Sequence, residues 1–198
     1  MTIESLERFK EEITGKLRDS SFTSTFLACE TDFTSIAWSK GPAFNLIPFE
    51  LEMSGVAPCK LTSKEPLAKK YVHKHCYHEG RLFKVDIYDA KGQVYEWEYY
   101  IYGEGRVYSL KINRHNEIGW LKAVDLQEGQ VVRACRVDFD SEFWTFGYEW
   151  DNGRLQEILT LSSNSLPGVK LYPSFVSDNV IESLYFLRGD QKVLVYSA

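Results

Sequence analysis

No stretch of this 198-residue sequence approaches the roughly 18 to 20 consecutive apolar residues that cross a bilayer, so no membrane-spanning helix is expected. Basic charge is also scarce: 23 Lys and Arg face 28 Asp and Glu, for a net charge of −5 and a pI near 5.5. Nucleic acid requires a basic footprint, which argues against it as a partner. An acidic chain suits a basic protein instead. Cysteine is limited to Cys29, Cys59, Cys76 and Cys135, without the CxxC spacing of a metal or redox site. Met1 to Ser20 is charged and amphipathic rather than signal-like, so reduced thiols in a cytoplasmic protein are expected.

Catalytic signatures are missing too. The chain has no Gly-rich phosphate loop, no GxSxG and no HExxH. Glu96 and Glu98 share one strand face about 7 Å apart, a separation that glycosidase carboxylates use, but no further catalytic pattern accompanies them. A non-enzymatic protein without cofactor is therefore expected. His73, His75, Cys76 and His78 form the one cluster of ligand-type residues. On a strand the first two share a face while Cys76 and His78 have the opposite parity, so the four do not converge on one ion. Lys69, Lys70 and Lys74 would repel a cation as well. The cluster reads as a basic sheet edge rather than a metal site.

What the sequence has in excess is aromatic residues, 15 % of the chain, and a regular beat of turns. Turn formers recur about every twelve positions, at Glu79-Gly80, Lys91-Gly92, Glu104-Gly105, Asn116-Glu117, Glu128-Gly129, Ser141-Glu142 and Asn152-Gly153. The segments between them, such as 93–102 and 143–150, are dense in aromatic and β-branched residues that favour strands. The expected fold is mainly β, of α+β type. A long antiparallel up-and-down meander over 71–162, strongly curved or partly open as a barrel, is covered by an N-terminal amphipathic helix.

Alternation along each strand separates two sets of side chains. The apolar set is Phe83, Val85 and Ile87, then Tyr95, Trp97, Tyr99 and Ile101, then Tyr108, Leu110 and Ile112, then Trp120, Val124 and Leu126. Val131, Cys135, Val137 and Phe139 continue it, followed by Trp144, Phe146, Tyr148 and Trp150, with Lys122 and Arg133 as exceptions. Together these predict one apolar face on a core and one wet face. The wet set carries Asp86, Glu96, Glu98, Asp125, Asp138 and Glu149 against Lys84, Lys111 and Arg136. Residues 77–162 hold fifteen acids to ten bases, so the whole excess of negative charge lies on the meander.

The flanks complete a single expected domain. Ile3, Leu6, Phe9, Ile13 and Leu17 fall at helical spacing behind a Thr2 N-cap, which predicts a helix over 1–20. Residues 21–70 read as irregular, with short strands at 23–29, 35–38 and 44–53 and a loop from Ser54 to Leu67. Residues 163–198 read as a loop through Pro173, a short helix over 180–184 capped by Ser177-Asp178, and a hairpin around Arg188-Gly189-Asp190.

Three turns share a further pattern. Tyr77-His78-Glu79-Gly80-Arg81-Leu82, Tyr102-Gly103-Glu104-Gly105-Arg106-Val107 and Tyr148-Glu149-Trp150-Asp151-Asn152-Gly153-Arg154-Leu155 resemble the tyrosine, turn, Gly-Arg-apolar pattern of the tyrosine–aspartate (YD) repeats in Rhs-type bacterial toxin shells. In size, acidity and β content the chain also resembles the immunity proteins encoded beside bacterial contact-dependent toxins. That resemblance implies a module that binds and neutralises a basic toxin effector domain. The acidic face would supply the contacts: Asp86, Glu96, Glu98, Tyr100, Asp125, Asp138, Glu149 and Trp150. The alternative is a lipocalin-like barrel whose Tyr95, Trp97, Tyr108, Trp120, Phe146 and Trp150 surround an apolar or acidic ligand, with Lys122 and Arg133 salt-bridging its acid group.

Overall fold

All seven expected turn centres join consecutive antiparallel strands. Glu79 and Gly80, Glu128 and Gly129, and Asn152 and Gly153 take positive φ in pairs, as two-residue hairpin turns require. The computed structural model describes residues 1–28, 32–164, 168–177 and 180–198. Its strands are β1 (Ser35–Ser39), β2 (His73–His78), β3 (Arg81–Tyr88), β4 (Val94–Gly103), β5 (Arg106–Asn113) and β6 (Ile118–Gln127). They continue with β7 (Gln130–Asp138), β8 (Phe143–Asp151), β9 (Arg154–Ser162), β10 (Val169–Ser177), β11 (Val180–Arg188) and β12 (Gln191–Ser197). Each strand pairs with its neighbours in sequence, and β1 does not pair with β12, so the sheet is an open meander.

The sheet is also bent. Between β6 and β12 lie six strand spacings, about 29 Å in a flat sheet. A four-residue helix, α3 (Glu50–Met53), packs on β12 while its Glu50 carboxylate bonds Lys122 of β6 at 2.7 Å. One helical turn about 6 Å long meets both only if the sheet curls around it. Register shifts at Cys76/Tyr77, Ile87/Tyr88, Lys111/Ile112, Asp125/Leu126 and Glu149/Trp150 supply the bulges that add local bend and twist.

The N-terminal helix is present as α1 (Ile3–Arg18), with Thr2 Oγ1 accepting from Ser5 N at 3.2 Å. It buries Leu6, Phe9 and Ile13 against β6, β7 and β8. The strand expected over 23–29 is instead a second helix, α2 (Ser20–Leu27). Asp19 caps it by accepting from Ser21 N and Phe22 N, and Phe22 and Phe26, one turn apart, pack edge to face at 5.6 Å. The β1 strand falls where expected, but 44–53 is not a strand. Phe49 takes a left-handed φ of 63° there and α3 follows. The loop expected through Pro173 gives way to β10, and the helix over 180–184 to β11, because pairing with β10 and β12 satisfies the backbone on both sides. Cys29, Ser165, Pro167 and Asp178 lie outside the described residues. Cys59, Cys76 and Cys135 are free thiols, and burial pushes that of Cys135 up to about 12.

The expectation of one apolar and one wet face does not hold. Register places Val85 opposite Glu98, Tyr99 opposite Leu110, and Lys111 opposite Trp120, so the apolar sets of β4 and β5 share one side while those of β3 and β6 lie on the other. One core, with Phe9, Ile13, Phe26, Leu110, Leu121, Ala123, Cys135 and Val137, lies under the helices. The other joins Val85, Tyr100, Val107, Val124, Ala134, Phe146, Tyr148 and Ile158 to Leu46 and Ile47 on the inner face, where α3 sits. Both sides of the sheet are therefore covered.

Candidate functional site

The inner-face segment of residues 42–53 is held by specific bonds rather than by regular structure. Tyr148 Oη donates to the Pro48 carbonyl at 3.0 Å, Leu51 N donates to Asn45 Oδ1 at 3.1 Å, and Asn45 Nδ2 donates to Glu52 at 2.8 Å. This aims Glu50 at β6 and β7 and leaves a cavity of about 330 Å³ between the segment and strands β2 to β7. Its wall includes Phe44, Glu50, His73, His75, Glu96, Glu98, Tyr100, Lys111, Trp120, Lys122 and Arg136.

Charge in the cavity is dense, desolvated and internally matched. Lys122 Nζ lies 2.7 Å from Glu50 and 3.7 Å from Glu98, with the Lys122 and Glu98 side chains only 9 % and 12 % exposed. Burial alone would raise the Glu98 pKa, but Lys122 outweighs it, together with hydrogen bonds from Ser109, Trp120 and Tyr100, and holds the carboxyl below its ordinary range. Burial would likewise depress the Lys122 ammonium, but Glu98 and Glu50 raise it. Lys111 bonds Glu96 at 2.6 Å, and Arg136 binds Asp138 through Nε and Nη2 at 2.7 and 2.8 Å. Lys111, Arg136 and Lys122 also stand 4.2, 4.3 and 4.8 Å from the Trp120 ring, which spreads their charge over an aromatic face.

Register divides the residues expected to form one docking face. Glu96, Glu98, Tyr100, Asp138 and Trp150 lie on the inner face; Asp86, Asp125 and Glu149 lie on the helix face. Each of the six acids has a cationic partner. Asp86 binds Lys84 at 3.0 Å, Asp125 binds Arg106 and Arg133, and Glu149 binds the Met1 ammonium at 3.1 Å. Glu149, at 54 %, is the most exposed; the other five carboxylates are under one quarter exposed. Tyr100 and Trp150 are structural: Tyr100 is buried in the inner core, and Trp150 Nε1 donates to the Val131 carbonyl at 2.8 Å. The barrel expectation also divides. Lys122 lines the inner cavity, whereas Arg133 is on the other face, 4.3 Å from the Phe9 ring. Trp120, Phe146 and Trp150 are inner, Trp97 and Tyr108 are on the helix side, and Tyr95 is exposed beside Arg114.

His73 and His75 both line the cavity, while Cys76 pairs with Lys84 on the opposite face, as strand parity predicted. The cluster is not an edge, because β1 covers β2. Residues 42–53 and Ser39 were not legible as site residues. Glu50 and Lys122 are 72 positions apart, and no local pattern connects them.

The two histidines give the protein a pH response. Burial lowers both to about 4, with Lys111 adding to the effect on His73 and His75 destabilised further by protonation of His73. A folded pKa below the unfolded 6.5 means that the unfolded chain takes up protons first, so their stabilising share is full above pH 6.5 and lost as pH falls toward 4. For His75 alone the loss at pH 4 is about 3 kcal/mol. Urea titrations at pH 7, 5.5 and 4.5 should show this fall, and the slope should shrink in a His73→Asn/His75→Asn chain. An unchanged slope would assign the acid lability to other groups.

No protein-family model, curated protein or solved structure matches the chain. Among the described residues no helix is long and apolar enough to cross a membrane.

Proposed function

We propose that this protein is a non-catalytic binding module whose recognition site is the inner-face cavity. The observation that carries this reading is the Glu98–Lys122–Glu50 group, desolvated and paired within the chain yet lining open space of about 330 Å³. Folding a charged cluster beside a void costs stability that an apolar filling would not, which is the mark of a site kept for a guest. Catalysis is disfavoured by the same groups. Proton transfer at neutral pH is most efficient with a pKa near 7, but both histidines are held near 4 and the Glu98 carboxyl below its usual range.

Docking of a basic toxin domain on the six acids has less support. Each is neutralised within the chain, so little free negative potential remains there to steer a partner. A thermal-shift screen of small molecules tests the cavity reading. Binders should raise Tm in the wild type but not in Phe44→Arg, where a bulky cation replaces the ring that packs edge to face on Tyr100 at 5.7 Å. If every stabilising compound acts equally on both proteins, the cavity is not the recognition site.

A further inference from the structure

His75, on the cavity wall, carries a buried hydrogen-bond acceptor that no described residue uses. Ser39 has a single hydroxyl proton, which it donates to the Gly41 carbonyl at 2.5 Å. Its oxygen, 2.9 Å from His75 Nε2, therefore accepts, and the proton of the imidazole is on Nε2. A ring titrating near 4 is neutral at pH 7, so Nδ1 carries a bare lone pair. That atom has no donor among the described residues, although His75 is only 1 % exposed. A buried acceptor without a partner destabilises the fold, and a guest with an O–H or N–H would recover that loss.

The charges around it restrict the guest further. Lining carboxylates and cations are equal in number, Glu50, Glu96 and Glu98 against Lys111, Lys122 and Arg136, and all are already paired. A charged guest would leave a desolvated ion without its partner, whereas an uncharged one leaves every pair intact. Glu98 stands opposite Lys111 and Glu50 lies against Lys122, so acceptors and donors are close together on the wall. Hydroxyl groups, which both donate and accept, suit that mixture best. The volume is that of about ten waters, enough for one six-membered ring. We propose that the cavity binds an uncharged polyhydroxyl ligand of single-sugar size, with one hydroxyl donating to His75 Nδ1. This rests on the cavity being the recognition site.

The test is an NMR titration of the full chain that follows the His75 ring protons and the Trp120 indole N–H. The probes are methyl glucoside, methyl galactoside, methyl mannoside, N-acetylglucosamine and myo-inositol, with glucuronate and glucosamine as charged counterparts. At least one uncharged probe should shift both signals with a Kd in the low millimolar range or tighter. The His75→Phe chain should bind it at least tenfold more weakly. Should His75→Phe fail to fold, Glu96→Gln, at a less buried position, should weaken binding severalfold. Tighter binding of a charged counterpart at the same signals would overturn the ligand class while leaving the site standing. If no probe of either kind moves them, the proposal falls, and a screen that also finds no Phe44-dependent binder removes the site with it.

Discussion

Lys122→Met lowers the stability of the folded protein by about 3 to 5 kcal/mol, the cost of leaving a buried carboxylate without its cation. Lys122 is the only cation that the structure places within 4 Å of Glu98 among the described residues, and Ser109 and Trp120 hold that carboxylate in position by hydrogen bonds at 2.6 and 3.5 Å. Glu50 loses less, since Arg136 stands 3.6 Å from its carboxylate. Adding Glu98→Gln to Lys122→Met should restore much of the loss, because the amide keeps the Ser109 bond and carries no charge. Urea unfolding of the two single variants and the double variant measures the coupling. A loss below about 1 kcal/mol for Lys122→Met would show that Glu98 is hydrated in the folded state.

On the other side of the sheet, Phe9→Ala should cost about 3 to 5 kcal/mol. Its ring is 1 % exposed beneath α1, so truncation opens a void that the β6 and β7 side chains do not fill. The ring also lies 5.1 Å from the Arg106 guanidinium and 4.3 Å from that of Arg133. Both arginines bond Asp125, and Arg106 reaches Glu12 of α1 as well, so Phe9 is the platform for a network that fastens the helix to the sheet. Phe9→Leu, which keeps most of the volume, should cost about 1 to 2 kcal/mol. Equal costs for the two substitutions would mean that the ring matters through its π face rather than through packing.

Elements governed by local chemistry were the readable ones. A positive φ at Gly80, Gly129 or Gly153 is a property of one residue, and the strand tendency of 93–102 belongs to one segment. The α1 helix was legible for the same reason, through its apolar spacing and the Thr2 cap. Strand faces were only half legible. Parity correctly grouped Tyr99 with Ile101, and Val85 with Ile87, but parity within one strand does not say which side of its neighbour a set will share. Register decides that, and it put Val85 beside Glu98. The expected acidic face failed at this step, since three of its acids belong to one side and three to the other. Of the cavity, the shared face of His73 and His75 and the anomalous position of Lys122 were visible in the sequence. Glu50 was not, because it arrives from a segment that carries no periodic signal.

The amino-acid sequence by itself determined the antiparallel meander and its helical cover, since turn geometry, β propensity and helix amphipathicity all act over a few neighbouring residues. Tertiary structure alone decided where the charges went. The curl of the sheet around residues 42–53 brought Glu50 to Lys122 and formed the inner cavity. Coulombic pairing depends on distance in space and on loss of water, and neither quantity is written in the spacing of residues along the chain.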